Sequence, residues 1–122
     1  MRTLLTTLVL CCAALLAVSG DIFSQTFIDA GQQFVLGGQQ RGAFRVAAHN
    51  TGPVPVSVAE RQADGKVQER GRLEPGQRVA LAFGAGSAAL VRNLGERQAV
   101  LDFRISGDAS VSMGMRSEAL KK

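Results

Sequence analysis

Gln98 to Ser106 reads QAVLDFRIS, and this stretch decides the fold class. Ala99, Leu101, Phe103 and Ile105 alternate with Val100, Asp102 and Arg104. Side chains of a strand point to opposite faces in turn, so a period of two puts the four apolar residues on one face and both charges on the other. A helix would scatter these residues around its axis. The segment is a strand with one face on a core.

The same alternation extends in both directions. Towards the C-terminus, Ser106-Gly107-Asp108 marks a turn, and Val111, Met113 and Met115 alternate along a last strand. Residues 117–122 read as a flexible basic tail with at most one helical turn. Towards the N-terminus, Asn93-Leu94-Gly95-Glu96 turns the chain after Ala88–Leu94, where Ala88 and Leu90 share one side with Arg92 at the outer end. Gly84–Ser87 is a flexible connection, and Arg78–Phe83 points Val79, Leu81 and Phe83 inward. Glu74-Pro75-Gly76-Gln77 has the Pro and Gly placement of a type II turn.

Farther upstream, Asp64-Gly65 is a two-residue hairpin signal. Taking those two as the turn centre pairs Ala63 with Lys66, Ala59 with Arg70 and Val56 with Leu73. The same register sets Glu60 opposite Glu69, a mild repulsion. Val54, Val56 and Val58 alternate along the preceding strand, where Pro55 has no amide proton to donate and so points to a sheet edge. Asn50-Thr51-Gly52-Pro53 is a turn, since Asn and Gly tolerate positive φ and Pro fixes its own. Before it, Ala43–His49 places Phe44, Val46 and Ala48 on one face. Gln32–Leu36 is a short strand, and Gly20–Asp29 is an irregular lead-in or an edge strand.

Turns recur about every 8 to 12 residues with no helical period, the pattern of a small antiparallel β-sandwich of seven to eight short strands, with a barrel as the alternative. The rhythm resembles that of immunoglobulin domains, although the Cys and Trp marks of that family are missing. A likeness of rhythm carries no function.

The N-terminus is an address of another kind. Arg2 precedes an uncharged apolar run from Leu4 to Ala17, followed by the small residues of Ala17-Val18-Ser19 and Gly20. Residues 1–20 therefore read as a secretory signal peptide cleaved after Ser19 or Gly20, with residues 21–116 as one β domain. The run is short for a membrane span, so membrane association is expected only if the segment stays uncleaved. Cys11 and Cys12, the two cysteines of the chain, both lie in that run. The exported chain is expected to have neither disulfides nor thiolate chemistry, and to work in a periplasm or outside the cell.

The remaining chemistry is sparse. The chain carries 14 Lys and Arg, Arg2 among them, against 10 Asp and Glu, a mildly basic balance. His49 is the single histidine, and it ends a strand just before a turn. Ser57, Ser87, Ser106 and Ser110 do not combine with Asp29, Asp102 or Asp108 in any triad-like spacing. Zinc lacks its His and Cys ligands, no calcium loop is present, and no cofactor motif appears. Gly84–Ser87 resembles a phosphate loop only in its glycines, since neither a helix nor a Lys-Ser/Thr pair follows.

Three roles stay open. The leading expectation is a non-enzymatic interaction module of the cell envelope or secretome, binding a protein partner through a sheet edge or face. Phe23–Ile28, Val54–Val58 and Val111–Met115 are the candidate edges, with Val54, Val56 and Val58 foremost. The second is polyanion binding by Arg45, Arg92 and Arg104, should they share one sheet face. Nucleic acid is disfavoured because exposed aromatics for base stacking are not evident. The third is a small hydrolase using His49 beside a serine or carboxylate in a cleft. Carbohydrate binding is weak without Trp or Tyr. The Gln32, Gln33, Gln39 and Gln40 cluster reads as a solvated loop.

Overall fold

The computed structural model describes residues 21–107 and 114–120. Residues 1–20, where a signal peptide is expected, and most of Val111–Met115 lie outside the described residues. Nine strands run in the order β1 (Ile22–Ile28), β2 (Gln32–Gly37), β3 (Phe44–Asn50), β4 (Val56–Arg61), β5 (Val67–Leu73), β6 (Arg78–Phe83), β7 (Ala88–Asn93), β8 (Ala99–Gly107) and β9 (Met115–Ala119). They form two antiparallel sheets packed face to face, one ordered β1-β8-β3-β6 and the other β5-β4-β7-β2-β9. The fold is a β-sandwich. Neither sheet closes into a barrel, and no helix occurs among the described residues.

The alternation in QAVLDFRIS becomes the inner face of β8: Ala99, Leu101, Phe103 and Ile105 are buried, and Asp102 and Arg104 are exposed. Phe103 stacks on Phe34 of the opposite sheet with centroids 5.9 Å apart. Phe44 of β3 stacks on Phe83 of β6 at 5.2 Å. Aromatic pairs at these distances gain contact energy beyond their buried area.

The five-stranded sheet is apolar on both faces at its centre. Phe34 and Leu36 of β2 and Ala89 and Val91 of β7 face the core. Val35, Ala59, Ala88 and Leu90 form a second buried cluster on the outer face. Ion pairs lie over that face, with Arg92 bound to Glu69 at 2.7 Å and Arg116 to Glu118 at 2.8 Å. The side of β7 holding Ala88 and Leu90 is thus its outer side.

The β4–β5 hairpin departs from the expected register. The Gln62 amide donates to the Lys66 carbonyl and the Gly65 amide to the Gln62 carbonyl, so the loop is three residues, Ala63 to Gly65. Glu60 consequently faces Gln68 instead of Glu69, and the expected repulsion does not arise. A bulge between Val58 and Ala59 restores Val56 opposite Leu73. A three-residue loop with an αL glycine favours this geometry over a two-residue turn; Gly65 has φ +93°.

Two further expectations are corrected. Val54–Val58 is not an edge, because β4 pairs β5 on one side and β7 on the other. Val54, Val56 and Val58 are all buried. Pro55 precedes the strand, so its missing donor costs the ladder nothing. Residues 117–119 are not tail: β9 pairs along β2 from Gln32↔Ala119 to Leu36↔Met115. Its side chains are mostly exposed and polar, which is why the segment lacks a core stripe to read.

Candidate functional site

The outer face of the four-stranded sheet carries the most chemical variety. Strand parity sends Phe23, Gln25 and Phe27 of β1, Val100, Asp102 and Arg104 of β8, Arg45, Ala47 and His49 of β3, and Arg78, Ala80 and Ala82 of β6 to this face. Register then builds rows across it. Gln25 meets Asp102, Asp102 meets His49, and His49 meets Arg78. One row along, Phe23 meets Arg104, Arg104 meets Ala47, and Ala47 meets Ala80. The small side chains of Ala47 and Ala80 leave a shallow concavity of about 550 Å³, walled by Phe23, His49, Arg78, Asp102 and Arg104.

Arg104 donates to Asp21 at 2.5 Å and lies 5.6 Å from the centre of the Phe23 ring. Among the described residues no carboxylate lies within ion-pair distance of Arg45 or Arg78. Phe23 is 72% exposed and Phe27 53%.

The three arginines named from sequence do not assemble. Arg45 and Arg104 share this face, but Arg92 lies on the outer face of the other sheet, bound to Glu69. Arg92 is on the wrong layer because β7 and β8 belong to different sheets, and the turn at Asn93–Glu96 carries the chain between them. Arg78 takes its place, brought beside His49 by β6. His49 and Asp102 do line one concavity, though no Ser, Thr or Cys lines it with them.

The glutamines divide. Gln40 is buried and pins its own loop, donating to the carbonyls of Gly84 and Ser87. Gln33 donates to Glu118 at 3.0 Å.

Phe23–Ile28, one of the three candidate edges expected from sequence, is an edge; what sequence reading missed is that Phe23 and Phe27 point outward from it. Ile22–Ile28 (IFSQTFI) places hydroxyls inward at Ser24 and Thr26 and aromatics outward, which inverts the usual stripe. Two phenylalanines four apart on a strand must share a face, and opposite it stand Ile22 and Ile28. That spacing was the available signal.

No protein-family model and no curated protein matches the chain. Among solved structures it is similar to a conserved protein with a double-stranded β-helix domain from Klebsiella pneumoniae, at 10% identity and a TM-score of 0.52 over 84% of this chain and 77% of that one. It is also similar to Peruvianin-I, a cysteine peptidase from Thevetia peruviana latex, at 13% identity and a TM-score of 0.54. That match covers 84% of this chain and 58% of the peptidase chain. These likenesses concern the sandwich fold alone.

Proposed function

We propose that the protein is an exported, non-enzymatic interaction module that takes an extended segment of a protein partner along the β1 edge, with Phe23 and Phe27 as anchors. One observation carries this reading. Of the four edge strands among the described residues, β5 carries Glu69, Arg70 and Arg72, β6 carries Arg78, and β9 carries Arg116 and Glu118. Strand β1 carries no charge, proline or glycine.

Folded proteins guard sheet edges with charges, prolines and bulges because a bare row of backbone donors and acceptors templates pairing with another chain. An unguarded edge flanked by exposed aromatics suits strand addition, in which main-chain bonds supply affinity and side chains select. The test is crosslinking of the tagged, exported protein in cells, followed by capture. Recovery of a protein partner that the F23E/F27E variant loses, with its unfolding midpoint unchanged, supports the reading. Undiminished recovery by that variant overturns it.

Hydrolysis through His49 is a second reading, favoured by the Asp102 carboxylate aligned with it across β3 and β8. Asp102 would orient the imidazole, and water would have to be the nucleophile, since no side-chain hydroxyl or thiol lines the concavity. Hydrolysis of an ester panel that His49→Ala abolishes would support it. Equal rates for the two proteins would remove it.

A further inference from the structure

We infer that the segment β1 accepts is β1 of a second copy of this chain, so that the two proteins join their four-stranded sheets into one eight-stranded sheet about a two-fold axis at Gln25. The inference rests on the β1-edge reading above and names its partner.

The observation is a near-palindrome. Asp21 to Asp29 reads DIFSQTFID, which is the same in both directions except for the exchange of Ser24 with Thr26. Antiparallel pairing of two copies about Gln25 sets Ile22 against Ile28, Phe23 against Phe27, Ser24 against Thr26, and Gln25 against its own counterpart. Every strand position meets its chemical like. A two-fold interface demands this property, because a residue i that contacts j in one direction must have j contact i in the other.

The faces agree as well. A two-fold axis normal to the sheet keeps outward residues outward, so Phe23 and Phe27 of one copy lie directly across from Phe27 and Phe23 of the other. In the single chain these rings are the two most exposed phenylalanines, each covered on one side only, by Arg104 and Val100 of β8. Cross-strand aromatic pairs are among the favourable sheet contacts. On the inner face Ser24 meets Thr26, hydroxyls already 3.0 Å apart within one chain, and Ile22 meets Ile28 at each end.

Charge does not oppose the pairing within the strand. At its ends Asp21 meets Asp29 of the other copy, with Arg104 holding Asp21 and Gln98 donating to Asp29 at 2.9 Å. A shift by two residues would set Phe23 against Gln25 and lose both aromatic pairs. A shift by one would send every outward side chain to the other face.

The interface is one strand pair wide, which places the dimer in the weak, concentration-dependent class. The test is sedimentation equilibrium at about 100 µM, where an interface of this class is expected to be populated. The wild type should approach twice the monomer mass. F23E/F27E, which sets glutamate against glutamate twice, should weaken the dimer at least tenfold. F23E/F27K, which sets glutamate against lysine twice, should regain it.

Register is read by cysteine crosslinking in a chain with Cys11 and Cys12 replaced by serine. Gln25→Cys should form a disulfide with itself on mild oxidation, since opposed Cα atoms of an antiparallel pair lie about 4.5–5.5 Å apart, within disulfide reach. Ser24→Cys should not, because its opposite residue is Thr26. A wild type that stays monomeric, a charge-pair variant that fails to regain the dimer, or crosslinking through Ser24→Cys instead of Gln25→Cys overturns the inference. If the wild type is monomeric while capture still recovers a different protein that F23E/F27E loses, self-pairing falls and the edge reading survives. If neither occurs, both fall.

Discussion

Asn50 and Asn93 show how one residue type can hold a sandwich together at its turns. Each ends a strand, is fully buried, and begins an Asn-x-Gly step. The Asn50 carboxamide donates to the carbonyls of Val54 and Leu73 and accepts from the Gly52 amide. Asn93 donates to Ile28 and Arg97 and accepts from Gly95. Asn50→Ala or Asn93→Ala would orphan buried carbonyls, and each is expected to cost about 2–4 kcal/mol in urea unfolding. Gln39→Ala, at an exposed loop, should change stability by less than about 0.5 kcal/mol. Gly52 was legible as a turn residue, but for the wrong reason. Its φ is ordinary, and a Cβ there would stand 2.6 Å from the Val100 amide nitrogen. Gly52→Ala should therefore destabilise by about 1–3 kcal/mol through overpacking, measured the same way.

At the scale of elements, Glu60 ties three strands. Its carboxylate accepts from Arg70 of β5 at 2.8 Å and from the Gly84 amide at the end of β6, while Arg70 also donates to Ala82 and lies over the Phe83 ring. Burial by itself would raise the Glu60 carboxyl above its usual value of 4.5, but hydrogen bonds from Ser87 and Gly84 and the Arg70 charge together hold it below. Glu118 is likewise held below 4.5, first by Gln33 and then by Arg116. A depressed carboxyl favours the folded state when ionised, so this stabilisation is whole above about pH 4.5 and is lost as pH falls through the folded value. The midpoint of thermal unfolding should drop between pH 5 and pH 3, and Glu60→Gln should flatten that slope while lowering stability at pH 7. An unchanged slope would remove Glu60 from the account. None of this was legible, because Glu60, Arg70 and Gly84 meet only after β4, β5 and β6 close one end of the sandwich.

The whole molecule is sewn from both ends of the chain. Strand β1 pairs β8, and β9 pairs β2, so distant segments complete each sheet. Deleting residues 115–122 would strip β2 of a partner and bare QFVLG, a second uncharged edge. The unfolding midpoint should fall by about 10 °C or more, and light scattering should report aggregation. A flexible tail would be removable without either effect.

The residue pattern by itself determined that the chain is all-β, with a sandwich expected and a barrel as the alternative; the pairing into two separate sheets decided for the sandwich. Period-two stripes such as Ala99–Ile105, together with Pro-Gly and Asp-Gly turns, are local properties that survive in any register. Strand neighbours outside the β4–β5 hairpin were beyond it. That β4 is interior, that Arg92 lies on the opposite layer from Arg45 and Arg104, and that β1 is the unguarded edge all depend on which strands pair. Pairing is a long-range choice, decided by the summed burial of two faces and not by any one strand's composition.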